Sequence, residues 1–177
     1  MSLDKIIAQL KLNKLAMPPV HLWDPPYCGE MDIEIKADGS WYYENSIFKR
    51  LSLVKLLASV LVKQEAEYFL VTPVEKIKIR VADLPFVITQ WRWLEECIVP
   101  TMLVTTNLGD EIILDSEHPL SINGNKSLYL LVRGNLQAKI HRNVFYQWIE
   151  EAEEVSDANG TTLQLPSAGQ KFILGTC

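Results

Sequence analysis

The chain has 177 residues, yet only three cysteines, three histidines and eight glycines. Cys28, Cys97 and Cys177 are odd in number and far apart, and no C-x-x-C occurs. No disulfide framework is expected; a reduced, cytoplasmic protein is. His21, His118 and His141 stand in no ligand spacing such as H-x-x-x-H, so no metal site is expected. The glycines form neither G-x-x-x-x-G-K-S/T nor G-x-G-x-x-G, which removes the familiar phosphate-cradling loops. There is no G-x-S-x-G, and Cys28, seven residues from His21, reads as a packed or surface thiol. These absences leave no catalytic residue and no cofactor to assign.

Long apolar runs are missing too. None approaches the roughly 20 residues of a membrane helix. The opening MSLDKIIAQLKLNKLAMPP alternates charges and lacks an apolar h-region, so neither a membrane span nor a signal peptide is expected. Cations do not dominate: 17 Lys and Arg against 22 Asp and Glu give a net charge of −5. Without a basic patch, nucleic acid is not the expected partner.

What is present is a 48% hydrophobic chain, enough for one core or two small ones. Leu3, Ile6, Ile7 and Leu10 predict a helix over 3–15, docked on the body and ended by Met17-Pro18-Pro19. Residues 18–29 read as a stiff, proline-rich loop around Trp23. Met31, Ile33 and Ile35 then alternate with Asp32, Glu34 and Lys36, a half-buried strand. The turn that follows has two readings. A two-residue Asp38-Gly39 loop would put Trp41 and Tyr43 on the polar face. A three-residue loop over 37–39, with Gly39 left-handed, pairs Ile35 with Trp41 and Ile33 with Tyr43, and is preferred.

A helix is predicted over 52–64 with Ser52 as N-cap. Strands follow at 68–72, 75–81 and 86–94, read as a meander without crossover helices. A break at Glu95–Pro100 divides the chain into 1–97 and 98–177. The second half reads as strands at 101–106, 111–114, 128–133 and 136–140, with a polar loop over 115–126. The last pair joins at Gly134-Asn135. A helix begins at the N-cap Asn143, its apolar face running to Val155, with His141 as a surface or capping group. The acidic C-terminal end of that helix opposes the dipole and should fray. Ser156–Gly160 is a loop before closing strands at 161–165 and 171–174. The fold class is α+β: two small β-meander or roll subdomains of antiparallel strands, each packed with one main helix, plus a short N-terminal helix.

Alternation places Glu75 on the apolar face with Ile77, Ile79 and Val81, where a carboxylate needs a partner. Arg50 is the expected one. Lys76, Lys78 and Arg80 share the opposite face and are expected to pair with Asp32 and Glu34. Trp91 and Trp93 read as core or as a surface between subunits.

Several motifs resemble one bacterial family. They are W-D-P-P-Y-C-G-E-M-D-I-E-I at 23–35, D-G-S-W at 38–41 and L-V-T-P-V-E-K-I-K-I-R-V-A-D-L-P-F at 70–86. T-N-L-G-D-E at 106–111, E-H-P-L at 117–120 and V-R-G-N-L-Q-A-K-I at 132–140 continue the series. Together they resemble the family filed as domain of unknown function 1285. The resemblance covers about 20 to 150 and implies soluble bacterial α+β proteins with two roll-like subdomains; it supplies no activity. One departure is Asn45-Ser46, where a glycine-containing turn is expected.

The expected role is a non-catalytic ligand- or protein-binding module of a regulatory kind, with Trp23, Asp32, Arg50, Glu75, Arg80 and Asp83 as its binding residues. Its partner would be a small molecule, a protein or a second copy in a homodimer. The alternative is a small hydrolase using carboxylate acid–base chemistry.

Overall fold

A computed structural model of the chain describes residues 3–12, 18–95, 97–123, 127–157 and 160–176. It is α+β and divides between Pro85 and Phe86 into two compact units.

Unit 1 contains α1 (Leu3–Leu12), a 3-10 turn (Val20–Leu22), β1 (Tyr27–Ile35), β2 (Trp41–Tyr43), β3 (Ser46–Ile47), α2 (Leu51–Ser59), β4 (Leu61–Gln64), β5 (Glu67–Val71) and β6 (Lys76–Val81). Its six strands lie in the order β3-β2-β1-β6-β5-β4, with the central β1–β6 pair parallel. A parallel pair needs a crossover, and the chain supplies it by running outward to one edge, crossing through α2, and returning inward from the other. The buried face carries Met31, Ile33, Ile35, Trp41, Leu70, Ile77 and Ile79, with α1 and α2 contributing Ile6, Leu10, Val54, Leu57 and Ala58 to the core.

The hairpin register is the one the apolar pattern demands: Ile35 faces Trp41 and Ile33 faces Tyr43. Gly39, at φ 82, closes a three-residue loop that only a residue tolerant of positive φ can complete comfortably. The next turn is less orthodox. Tyr43 pairs with Ser46, so Glu44 and Asn45 alone make the connection, at φ 47 and φ 61. Two left-handed non-glycine residues stand where the family resemblance implied a glycine.

Three expectations for this unit are corrected. β1 begins at Tyr27, four residues before Met31, because Gly29 (φ 104) admits a bulge that keeps the strand beside β6. The helix predicted over 52–64 stops at Ser59, and its N-cap is Arg50 rather than Ser52. Its last part is β4, where Leu61 and Val62 pair with Leu70 and Phe69; a hairpin partner outweighs continued helical periodicity there. The predicted third strand of a first-half meander belongs elsewhere. β7 pairs with β12 and β8 in the second sheet, so the division falls at 85/86 and not at 97/98. Pro85, which lacks an N–H to give to a ladder, stands at that junction.

Unit 2 contains β7 (Phe86–Trp93), β8 (Met102–Thr106), β9 (Glu111–Ile113), β10 (Leu120–Ile122), β11 (Leu128–Arg133), β12 (Leu136–Ile140), α3 (Arg142–Glu151), β13 (Glu153–Asp157), β14 (Gly160–Ser167) and β15 (Gln170–Thr176). Its large sheet runs β10-β11-β12-β7-β8-β9, again with a parallel central pair. The chain path repeats that of unit 1: centre to edge, then opposite edge to centre. The difference is that no helix makes the crossing; α3 follows the sixth strand instead. The last three strands form a separate antiparallel sheet. β10 lies inside the predicted polar loop, being a three-residue strand between Pro119 and Asn123. The N-cap of α3 is His141, whose Nδ1 accepts from the Asn143 N–H at 3.3 Å, so Asn143 is not the cap. The helix ends at Glu151, and Val155 pairs with Thr162 in β13 rather than extending the helical face. β13 reaches Asp157 and β14 starts at Gly160, narrowing the predicted loop to residues 158–159, which lie outside the described set.

Candidate functional site

Four of the six expected binding residues, Asp32, Glu75, Arg80 and Asp83, lie on the sheet of unit 1 or beside its ends, and alternation sorts those near the strands by face. On the buried face, Glu75 directly precedes β6 and is 4% exposed. It is held by its own turn: the Thr72 N–H donates to the Glu75 carbonyl at 2.9 Å, and the Glu75 N–H donates to Thr72 Oγ1 at 3.1 Å. The expected inward carboxylate is therefore present, with a different partner. Gln9 of α1 donates from Nε2 to Glu75 Oε1 at 3.0 Å. Arg50, the expected partner, is exposed at the start of α2. Gln9 lies three residues after Ile6 and one before Leu10, and so shares the helix face that those fully buried side chains define. Its Oε1 is buried and, among the described residues, accepts no hydrogen bond.

The opposite face is a lattice of ion pairs. Arg80 binds Asp32 at 2.5 Å and reaches Glu34 at 3.8 Å; Lys36 binds Glu34 at 2.8 Å. Lys78 binds Glu67 and lies 3.3 Å from Glu30. These side-chain bonds, to Glu67 first and then Glu30, raise the pKa of Lys78; the bond to Asp32 does the same for Arg80. Of the cation row, Arg80 meets the predicted Asp32 and Glu34 across a parallel ladder, whereas Lys78 pairs with Glu67 and Glu30 and Lys76 Nζ donates to Gln64. Asp83 is exposed just beyond β6; its charge adds to burial in raising the pKa of Tyr68. Asp32 and Glu75 project from opposite faces, so the two carboxylates do not converge on one water.

The two faces meet at a corner where β1 and β6 begin. The Lys76 N–H donates to the Pro26 carbonyl at 3.1 Å, and Tyr27 stands opposite Lys76. The Tyr27 ring meets Phe69 edge-on, with centroids 6.3 Å apart, and Lys76 Nζ lies 4.5 Å from the Phe69 centroid. Leu22, Tyr27 and Val74 flank this contact in sequence and are 73%, 56% and 58% exposed. Trp23, half-buried, caps the 3-10 turn just upstream. Sequence reading named Trp23 but left Tyr27 in a loop and overlooked Gln9. The Ile6-x-x-Gln9-Leu10 spacing was the available signal: a polar residue on an apolar stripe.

In unit 2, Trp91 and Trp93 meet edge-to-face at 5.8 Å and donate to Gln147 and Glu151 of α3. They are half-buried and tie strand to helix, so they are not core residues. Arg133 lies 5.2 Å from the Phe86 ring centroid, and burial lowers its pKa against the pull of Asp110. The Asp115 carboxylate contacts His118 Nδ1 at 3.0 Å. No group of three or more metal-ligating side chains occurs among the described residues. No helix among them is long and apolar enough to cross a membrane.

Comparison with known proteins follows the same division. Residues 18–84 match the domain of unknown function DUF1285, N-terminal domain, and residues 85–174 match the protein of unknown function DUF1285, C-terminal domain. A crystal structure of a DUF1285 family protein from Silicibacter pomeroyi DSS-3 is similar, with 33% identity and a TM-score of 0.81, covering 97% of this chain and 94% of that one. A DUF1285 family protein from Shewanella baltica OS155 is similar at 27% identity and a TM-score of 0.55, covering 67% of this chain and 90% of that one. No curated protein matches. With both halves matched in order and a relative sharing nearly the whole length, this chain belongs to the DUF1285 family.

Proposed function

We propose that the chain is a non-catalytic module that binds a protein partner at the β1–β6 corner of unit 1. The observation that carries this reading is the exposure of Leu22, Tyr27 and Val74, which flank in sequence the backbone bond between Pro26 and Lys76. Exposed large apolar side chains bordered by charged groups have the make-up of an interaction patch with a polar rim. The neighbouring charged face supports binding over acid–base catalysis. Its carboxylates Asp32 and Glu34 are engaged by Arg80, and Glu75 lies on the other side of the sheet. The free thiols of Cys28 and Cys97 suit a reduced, cytoplasmic setting.

The test is site-specific photo-crosslinking in bacterial cells. A photoreactive residue is placed at position 22 or 74, with the exposed turn residue Glu65 as control. The reading expects one and the same protein captured from 22 and 74, not from 65, and lost on Tyr27→Ser. Capture of a second copy of the chain would identify a homodimer instead. Identical capture from all three positions would refute the corner as a specific site.

A further inference from the structure

The contact between α1 and Glu75 is chemically mismatched. Among the described residues, a 4% exposed carboxylate receives one side-chain hydrogen bond, from an amide whose own buried oxygen accepts none. The apolar fit around it is good: Ile6 is 0% and Leu10 2% exposed. The groove thus takes an amphipathic helix well, while the polar position at its base is filled by a neutral group where a cation would complement the charge. A Lys or Arg at that position supplies donors only and leaves no acceptor orphaned.

We infer that α1 is an exchangeable cover, and that the groove beneath it takes an amphipathic helix from a partner protein bearing Lys or Arg where α1 carries Gln9. Such a helix keeps the Ile6 and Leu10 contacts and replaces the neutral amide donor with a cationic one that leaves no acceptor orphaned. α1 then acts as a competitive, autoinhibitory segment. This site lies on the face opposite the ion-pair lattice and stands or falls separately from the corner described above.

The test uses the intact chain and labelled ten-residue peptides of the α1 sequence LDKIIAQLKL, residues 3–12, as the unchanged peptide and with Gln9→Arg. The Gln9→Arg peptide should bind at least about tenfold tighter, since it removes a buried acceptor left without a donor, a cost of about that factor. Its binding should also speed amide exchange in the α1 of the chain, which a peptide bound elsewhere would not do. Glu75→Gln in the chain should erase the preference for Arg. Should that variant not fold, Gln9→Arg within the chain serves instead, and should slow α1 exchange by a similar factor. Equal binding of the two peptides, no binding by either, α1 amides that stay protected at saturation, or faster α1 exchange in the Gln9→Arg chain would each overturn the inference.

Discussion

Replacing Glu75 by Gln is expected to stabilise unit 1, although it deletes a charge from a buried hydrogen-bonded pair. At present Gln9 Nε2 donates to Glu75 Oε1 at 3.0 Å, and Gln9 Oε1 has no donor among the described residues. An amide at position 75 can accept the same bond and return one from its own nitrogen to Gln9 Oε1. A net intramolecular hydrogen bond contributes about 0.5–1.5 kcal/mol, and an orphaned buried polar atom costs about 1–3 kcal/mol. The turn that positions residue 75 depends on its backbone and on Thr72, so the substitution leaves that turn intact. Together these give a gain of about 1–2 kcal/mol, or roughly 4–16 °C in the melting of this unit at about 4–8 °C per kcal/mol. Gln9→Leu should do the opposite, stripping Glu75 of its donor and costing about 1–3 kcal/mol. The assay is urea denaturation of both variants, with amide exchange of α1 to assign the change to this contact. A Glu75→Gln variant less stable than wild type by 1 kcal/mol or more, with an unchanged m-value, would refute the mismatch on which the reasoning rests.

Further outcomes follow from other parts of the chain. Ser167 is 1% exposed, accepts from the Met102 N–H at 2.9 Å and donates to the Leu114 carbonyl at 2.6 Å; Ser167→Ala should cost about 1–3 kcal/mol in denaturant titrations of unit 2. Glu44 occupies left-handed backbone that Asn tolerates better, so Glu44→Asn should stabilise by about 0.5–1 kcal/mol, seen as a higher denaturation midpoint. The folded-state pKa of Tyr68 is raised, chiefly by burial and then by Asp83, so the folded chain holds this proton more tightly than the unfolded one. Stability should then fall as pH rises through about 10, and Tyr68→Phe should flatten that fall.

The sequence made the hairpin legible because burying Trp41 on the same face as Ile35 tolerates only one of two registers, and a one-residue slip would turn Trp41 and Tyr43 to the polar face. The ion-pair lattice was legible for the same reason: strict alternation over 75–81 leaves the cations no other face. Strand neighbours were harder to read. Nothing local to Tyr27–Ile35 says that it lies beside Lys76–Val81 in parallel, since the pairing depends on a crossover through two edges of the sheet. The assignment of β7 failed similarly. Its own pattern was right, but whether it joins the sheet before it or after it is decided by β12, some fifty residues on. The ends of α2 and α3 were overdrawn because apolar residues at helical spacing continued into strands, where pairing with β5 and β14 prevailed. At the candidate site, Glu75 was legible from alternation, whereas its partner was not: Gln9 is 66 residues away.

The claim that the corner of unit 1 is a binding surface is tested most directly by Val74→Asp, measured for stability and for crosslinking from position 22 in the same preparation. Val74 is 58% exposed, so a surface role predicts unfolding stability within about 0.5 kcal/mol of wild type, together with loss of the captured partner. Unchanged capture, or a stability loss above about 1 kcal/mol that marks Val74 as part of the fold, would contradict it.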